Sequence, residues 1–108
     1  MNDPEDYTIV FFQECDELLD DLEEQLSKLE SGANDPEIVN AAFRAVHSIK
    51  GGADTFGFSE LVKFAHIFEA TMDCIRGGRL APTHEVCELL VRGRDILCDL
   101  VERARIGD

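Results

Sequence analysis

A chain of 108 residues, 44% of them hydrophobic and 31% charged, has room for one domain with a real core, and its composition is that of a folded protein rather than a disordered one. The balance of 10 basic against 23 acidic residues leaves a net charge of -13, which argues against the phosphate backbone of a nucleic acid as a partner. No apolar run approaches the ~18 residues of a membrane span. The N-terminus also lacks a basic region followed by an apolar stretch and a small-residue cleavage site. A cytoplasmic location away from the membrane is expected.

Four helical segments follow in chain order, with no convincing strand. The first, over residues 4–31, opens with Asp3 as a cap, Pro4 in the first turn and the acidic pair Glu5 and Asp6, which suit a helix N-terminus. Phe12, Cys15, Leu19, Leu22, Leu26 and Leu29 then recur at spacings of three and four, until "SGAND" stops the helix. Residues 1–31 carry 11 acidic groups and one basic group, Lys28, so this segment alone accounts for -10 of the charge. Its polar side reads as a solvated helix face, with a docking surface for a basic partner as the alternative.

The second helix, 35–56, repeats the cap-then-proline opening with Asp35 and Pro36 and runs through "HSIKGGADTFGF". The third, 59–77, starts at Ser59, carries Leu61, Phe64, Ala65, Phe68, Met72 and Ile75 on one face, and ends near "RGG". The fourth, 83–105, begins around Pro82 or Thr83 with a stripe of Val86, Leu90, Gly93, Leu97 and Leu100. Cys15, Cys74, Cys87 and Cys98 have no close C-x-x-C pairing and read as reduced, structural residues, most of them buried. Short Gly, Pro and Asn turns between amphipathic helices predict an antiparallel up-and-down four-helix bundle.

The glycine pair in the second helix needs an explanation, since each should cost about 1 kcal/mol relative to alanine in a helix interior. At 100° per residue, Ile38 and Phe56 lie about 180° from His47, Ala45 and Ile49 within about 20° of that direction, and Ala42 within about 40°. His47 therefore points away from the core. Lys50 falls about 60° to one side of it and Gly51 about 40° to the other, whereas Gly52 falls about 140° away, towards the packed side. A surface histidine with a cation beside it and bare backbone next to it could present a nucleophilic nitrogen to a phosphoryl donor. Gly52 more naturally eases helix packing.

On the third helix Glu69 lies about 100° round from Phe68, on the flank, and His66 about 160° round, facing outward with Asp73. A flank carboxylate could accept a hydrogen bond from one nitrogen of a phosphoacceptor imidazole, fixing the tautomer and freeing the other lone pair. Periodicity alone equally allows Glu69 to be a boundary residue that never meets His47.

"FRAVHSIKGGADTFGF" resembles the phosphorylation-site helix of histidine-containing phosphotransfer (HPt) domains, in particular the N-terminal one of CheA-type chemotaxis histidine kinases. "FFQECDELLDDLEEQL" and "LVKFAHIFEATMD" extend the likeness over nearly the whole chain. The resemblance implies one HPt domain over residues 1–108, from the N-terminal part of a longer kinase. His47 would be the phosphoacceptor, Lys50 would assist near the phosphoryl group, and Gly51 would give close access. Glu69 would bond the His47 ring, and His66 would belong to the surrounding polar network. Where Asp54 stands, glycine is the more usual residue.

Nothing in the chain resembles a nucleotide-binding loop, so no cofactor or metal is expected in this domain and Mg-ATP is expected on a partner kinase domain. By the same resemblance the partners are that ATP-binding domain and receiver domains of the CheY and CheB kind, the phosphoryl group passing from ATP to His47 and on to an aspartate. The domain, expected to be monomeric, would not catalyse the transfer alone. Three other readings stand beside this one: a free-standing phosphorelay protein, a helical adaptor, and a metal-binding bundle using His47, His66, Glu69 and His84 or a cysteine. The last lacks the paired Glu-x-x-His motifs of known bundle metal sites, having only "HIFE" once.

Overall fold

The computed structural model describes residues 4–33 and 35–107, with side chains from Tyr7 onward. Four helices account for almost all of it: α1 (Pro4–Glu30), α2 (Pro36–Thr55), α3 (Ser59–Arg76) and α4 (His84–Ile106). The Asp3 cap and the side chains of Pro4, Glu5 and Asp6 expected in the first turn of α1 lie outside the described residues. α1 stops where Gly32 takes φ 91°, a left-handed conformation that glycine adopts without a Cβ penalty.

Side-chain caps set the starts of α2 and α4, each one residue inside the expected span. Asp35 stands outside α2, with Oδ1 accepting the Glu37 N–H at 3.0 Å, and Thr83 stands outside α4, with Oγ1 accepting from Val86 N at 3.2 Å. Both side chains satisfy a donor that the first helical turn leaves free. α4 runs one residue beyond the expected end, to Ile106, and closes on Gly107 at φ 78°.

The helices form a closed ring in which α1 touches α2 and α4, and α3 touches the same two neighbours. Adjacent helices are antiparallel: Phe11 near the start of α1 meets Phe56 at the end of α2, and Asp16 of α1 pairs with Arg105 near the end of α4. All six stripe residues of α1 are buried, joined by Phe11. α2 buries Ile38, Ala42, Ala45 and Ile49 as expected, together with Val39, Val46 and Ala53. Phe56 just after α2, Phe64 of α3, and Val86 and Leu100 of α4 are only half-buried, because the ends and flanks of the stripes reach the edge of the core.

Two glycines let neighbouring helices close up. A Cβ on Gly52 would run into Cε1 and Cδ1 of Phe11, and one on Gly93 would lie 2.8 Å from Cε2 of Phe68. Of the four free cysteines, Cys15 and Cys87 are buried while Cys74 and Cys98 are half-buried, so burial is less complete than the helical phase suggests. Among the described residues, no helix is long and apolar enough to cross a membrane.

Candidate functional site

The site lies on the outer seam between α2 and α3, where antiparallel packing sets residues 43–50 of one helix against 69–76 of the other. Ala42, Ala45, Val46 and Ile49 turn inward, and the same helical phase leaves His47 on the outside with its side chain 61% exposed. Phe68 and Met72 anchor α3 and bring Glu69 up on the flank facing α2. The Glu69 side chain is only 13% exposed.

His47 Nδ1 lies 3.1 Å from Glu69 Oε2. Lys50 Nζ reaches the same carboxylate, donating to Oε1 at 3.1 Å and standing 3.0 Å from Oε2. Burial of the Glu69 carboxylate pushes its pKa up, but the hydrogen bonds from Lys50 and His47 and the positive charge of Lys50 outweigh this and hold the carboxyl below its ordinary value. Glu69 is thus an acceptor at neutral pH. Because a carboxylate can only accept, Nδ1 must carry the proton in this contact, which leaves the lone pair of the neutral ring on Nε2.

The expected residues come together in part. His47, Lys50 and Glu69 form one cluster, the contact that spacing alone left open. Gly51 is exposed, and a Cβ there would meet nothing within 4 Å, so the backbone beside His47 is bare. His66 is exposed on α3, and among the described residues no hydrogen bond joins it to the other three. Asp54 is exposed near the end of α2.

His84 is the first residue of α4, 3.2 Å from Glu88 and 3.9 Å from Glu30 at the end of α1. Among the described residues no group of three or more His, Cys, Asp or Glu is placed to hold a metal ion, and His47, His66 and His84 do not converge.

The sequence reading passed over two further members of this seam. The Phe43 ring lies nearly parallel to the His47 ring, at 8° with centroids 6.0 Å apart, and Arg76 Cζ stands 4.1 Å over the Phe43 centroid. The spacing of four between Phe43 and His47 was the available signal, since such residues share a helix face. Nothing in the sequence places Arg76 across the seam.

The chain is similar to known proteins over most of its length. The Hpt domain family model matches residues 6–106. The chain is 56% identical over 98 residues to the chemotaxis protein CheA of Rhizobium meliloti, covering 91% of this chain and 13% of that protein. It is 45% identical over 108 residues to the CheA of Cereibacter sphaeroides, covering 97% of this chain and 16% of that protein. It thus spans only a small part of the curated relatives it matches. Among solved structures, the CheA phosphotransferase domain from Thermotoga maritima superposes with a TM-score of 0.86 at 33% identity, covering 95% of this chain and 98% of that one.

Proposed function

This chain belongs to the Hpt domain family, and from that premise we propose that it is the phosphotransfer module of a CheA-type chemotaxis kinase, with His47 as phosphoacceptor. The observation that carries the assignment is the contact between His47 Nδ1 and Glu69 Oε2 at 3.1 Å on an exposed ring. It directs the one free lone pair of the imidazole, on Nε2, outward to solvent.

The donor is the γ-phosphoryl group of ATP, which is held with Mg²⁺ by the ATP-binding domain of the kinase. His47 Nε2 forms a bond to the γ-phosphorus as the bond from that phosphorus to the β–γ bridging oxygen breaks, and ADP leaves with the electron pair. The ring then carries the phosphoryl group on Nε2 and its original proton on Nδ1, so positive charge develops on the imidazole. Glu69 lies where that charge appears and offsets it. Lys50 grips both carboxylate oxygens, which fixes the orientation of Glu69, and its ammonium adds positive potential near the incoming phosphoryl oxygens.

Gly51 leaves room for the donor domain to approach. In the second transfer an aspartate carboxylate of a response regulator, of the CheY or CheB kind, attacks the same phosphorus as the Nε2–P bond breaks, and the electron pair returns to Nε2, leaving His47 neutral. The domain acts as a substrate and carrier within a longer histidine kinase. We place it in the cytoplasm, since its phosphoryl donor is ATP.

The test is incubation with a CheA-type kinase domain and Mg-ATP labelled at the γ-phosphate. A single acid-labile, alkali-stable label is expected on the parent and none on His47→Gln. Equal labelling of the two chains would overturn the assignment.

A further inference from the structure

We propose that Phe43, clamped by Arg76, is a positioning residue that holds the plane of the His47 ring for transfer; this rests on the reading of His47 as phosphoacceptor. A single hydrogen bond from Nδ1 to Glu69 restrains one atom of the imidazole but tolerates rocking of the ring about its Cβ–Cγ bond. That motion swings Nε2, the attacking atom, out of line with the phosphorus. A flat neighbour parallel to the ring removes it. Phe43 is such a neighbour, 8° from parallel at a centroid separation of 6.0 Å, within the range of offset aromatic stacks.

Phe43 is itself held. One side of it packs against the hydrophobic core, and the Arg76 guanidinium lies over the ring with Cζ 4.1 Å from the centroid, a cation–π arrangement. Arg76 is tied down in turn, its Nη2 donating to Asp73 Oδ1 at 2.6 Å, and Arg79 Nη2 stands 3.7 Å from Asp73 Oδ2. The seam therefore holds His47 from two directions: Glu69 and Lys50 act through the ring nitrogen, and Phe43 with Arg76 acts through the ring face. A general apolar contact would need only volume at position 43, whereas this role needs a flat ring.

The test compares Phe43→Leu, which keeps apolar volume, with Phe43→Tyr, which keeps the ring, and with Arg76→Gln, which removes the guanidinium at an exposed position. Single-turnover labelling by a CheA-type kinase domain with saturating Mg-ATP is expected to slow about tenfold in Phe43→Leu, and several-fold in Arg76→Gln. Phe43→Tyr should stay within about twofold of the parent, because the stack survives. The chain concentration giving half-maximal rate should stay unchanged in all three, and the His47 ring protons should lose their ring-current shift only in Phe43→Leu. Parental labelling rates in both Phe43→Leu and Arg76→Gln, with His47→Gln still unlabelled, would overturn the positioning role and leave His47 as phosphoacceptor. A parent chain that takes no label, from a kinase domain that labels its own phosphotransfer domain, would overturn both.

Discussion

Gly52 has the Phe11 ring where its Cβ would be, so an alanine there must push the ring off α2 or tilt the helix. Gly51, one residue earlier, has open space at the same atom and no packing to lose. Gly52→Ala is therefore expected to destabilise the fold by about 1–3 kcal/mol through overpacking, read as a lower midpoint in urea unfolding. Gly51→Ala should leave stability unchanged or raise it by up to ~1 kcal/mol, while slowing phosphorylation if a partner must approach the backbone there. Equal stability losses in the two variants would refute this division. Glu69→Ala removes the acceptor that holds the His47 tautomer and the anchor of Lys50. Labelling should slow on the order of 10- to 100-fold with a circular dichroism spectrum like the parent's. An unchanged labelling rate would reject the role.

At the scale of helices, the acidic face of α1 is more than a solvated surface. Arg94 of α4 is 16% exposed and lies across the α1–α4 seam, its Nε donating to the Leu19 carbonyl at 3.0 Å. Its Nη2 stands 3.3 Å from Glu23 and 3.9 Å from Asp20. Farther along, Arg105 bonds Asp16 and lies 5.3 Å over the Phe12 ring. These two arginines stitch the most acidic helix to its neighbour, which relieves part of the charge gathered there. The hydrogen bond and the covered stem of Arg94 set its value. Arg94→Ala should lower stability by about 2 kcal/mol, with Arg94→Lys recovering only part of it because an ammonium lacks the planar fork. A urea midpoint within error of the parent's would show that the seam does not need this side chain.

For the whole molecule, the cysteines tie stability to alkaline pH. Burial pushes the Cys15 thiol up from 9.0 to about 12, reinforced by the neighbouring Asp16, and burial also raises Cys87 and Cys98. The folded state thus keeps these protons at a pH where the unfolded chain releases them. Their contribution is complete below about pH 9 and falls as pH rises from there towards the folded values. Urea midpoints should be flat from pH 7.5 to 8.5 and then decline, with a shallower decline in Cys15→Ala. Equal declines would show that Cys15 keeps an ordinary pKa in the fold. The Glu69 carboxyl works in the opposite direction, since its folded pKa lies below the ordinary value. What it adds is present at neutral pH and is lost as pH falls through that folded value.

Local rules decided much of this protein before any tertiary contact was known. Spacings of three and four fixed four helices, Asp35 with Pro36 fixed the start of the second, and 100° per residue fixed His47 on the side away from the core. These are properties of a single helix, so a single sequence carries them. The same phase separated Gly51 from Gly52, although only the packed bundle shows that the neighbour needing room at Gly52 is Phe11. The meeting of Glu69 with His47 and Lys50, 22 and 19 residues away, could not be read from periodicity, because the rotation and register of α3 against α2 depend on how the whole core closes. Arg76 over Phe43 and Arg94 on the Leu19 carbonyl belong to the same class of long side chains spanning a seam. The sequence by itself determined that His47 points away from the core, because phase is a property of one helix; the tertiary structure decided what holds it.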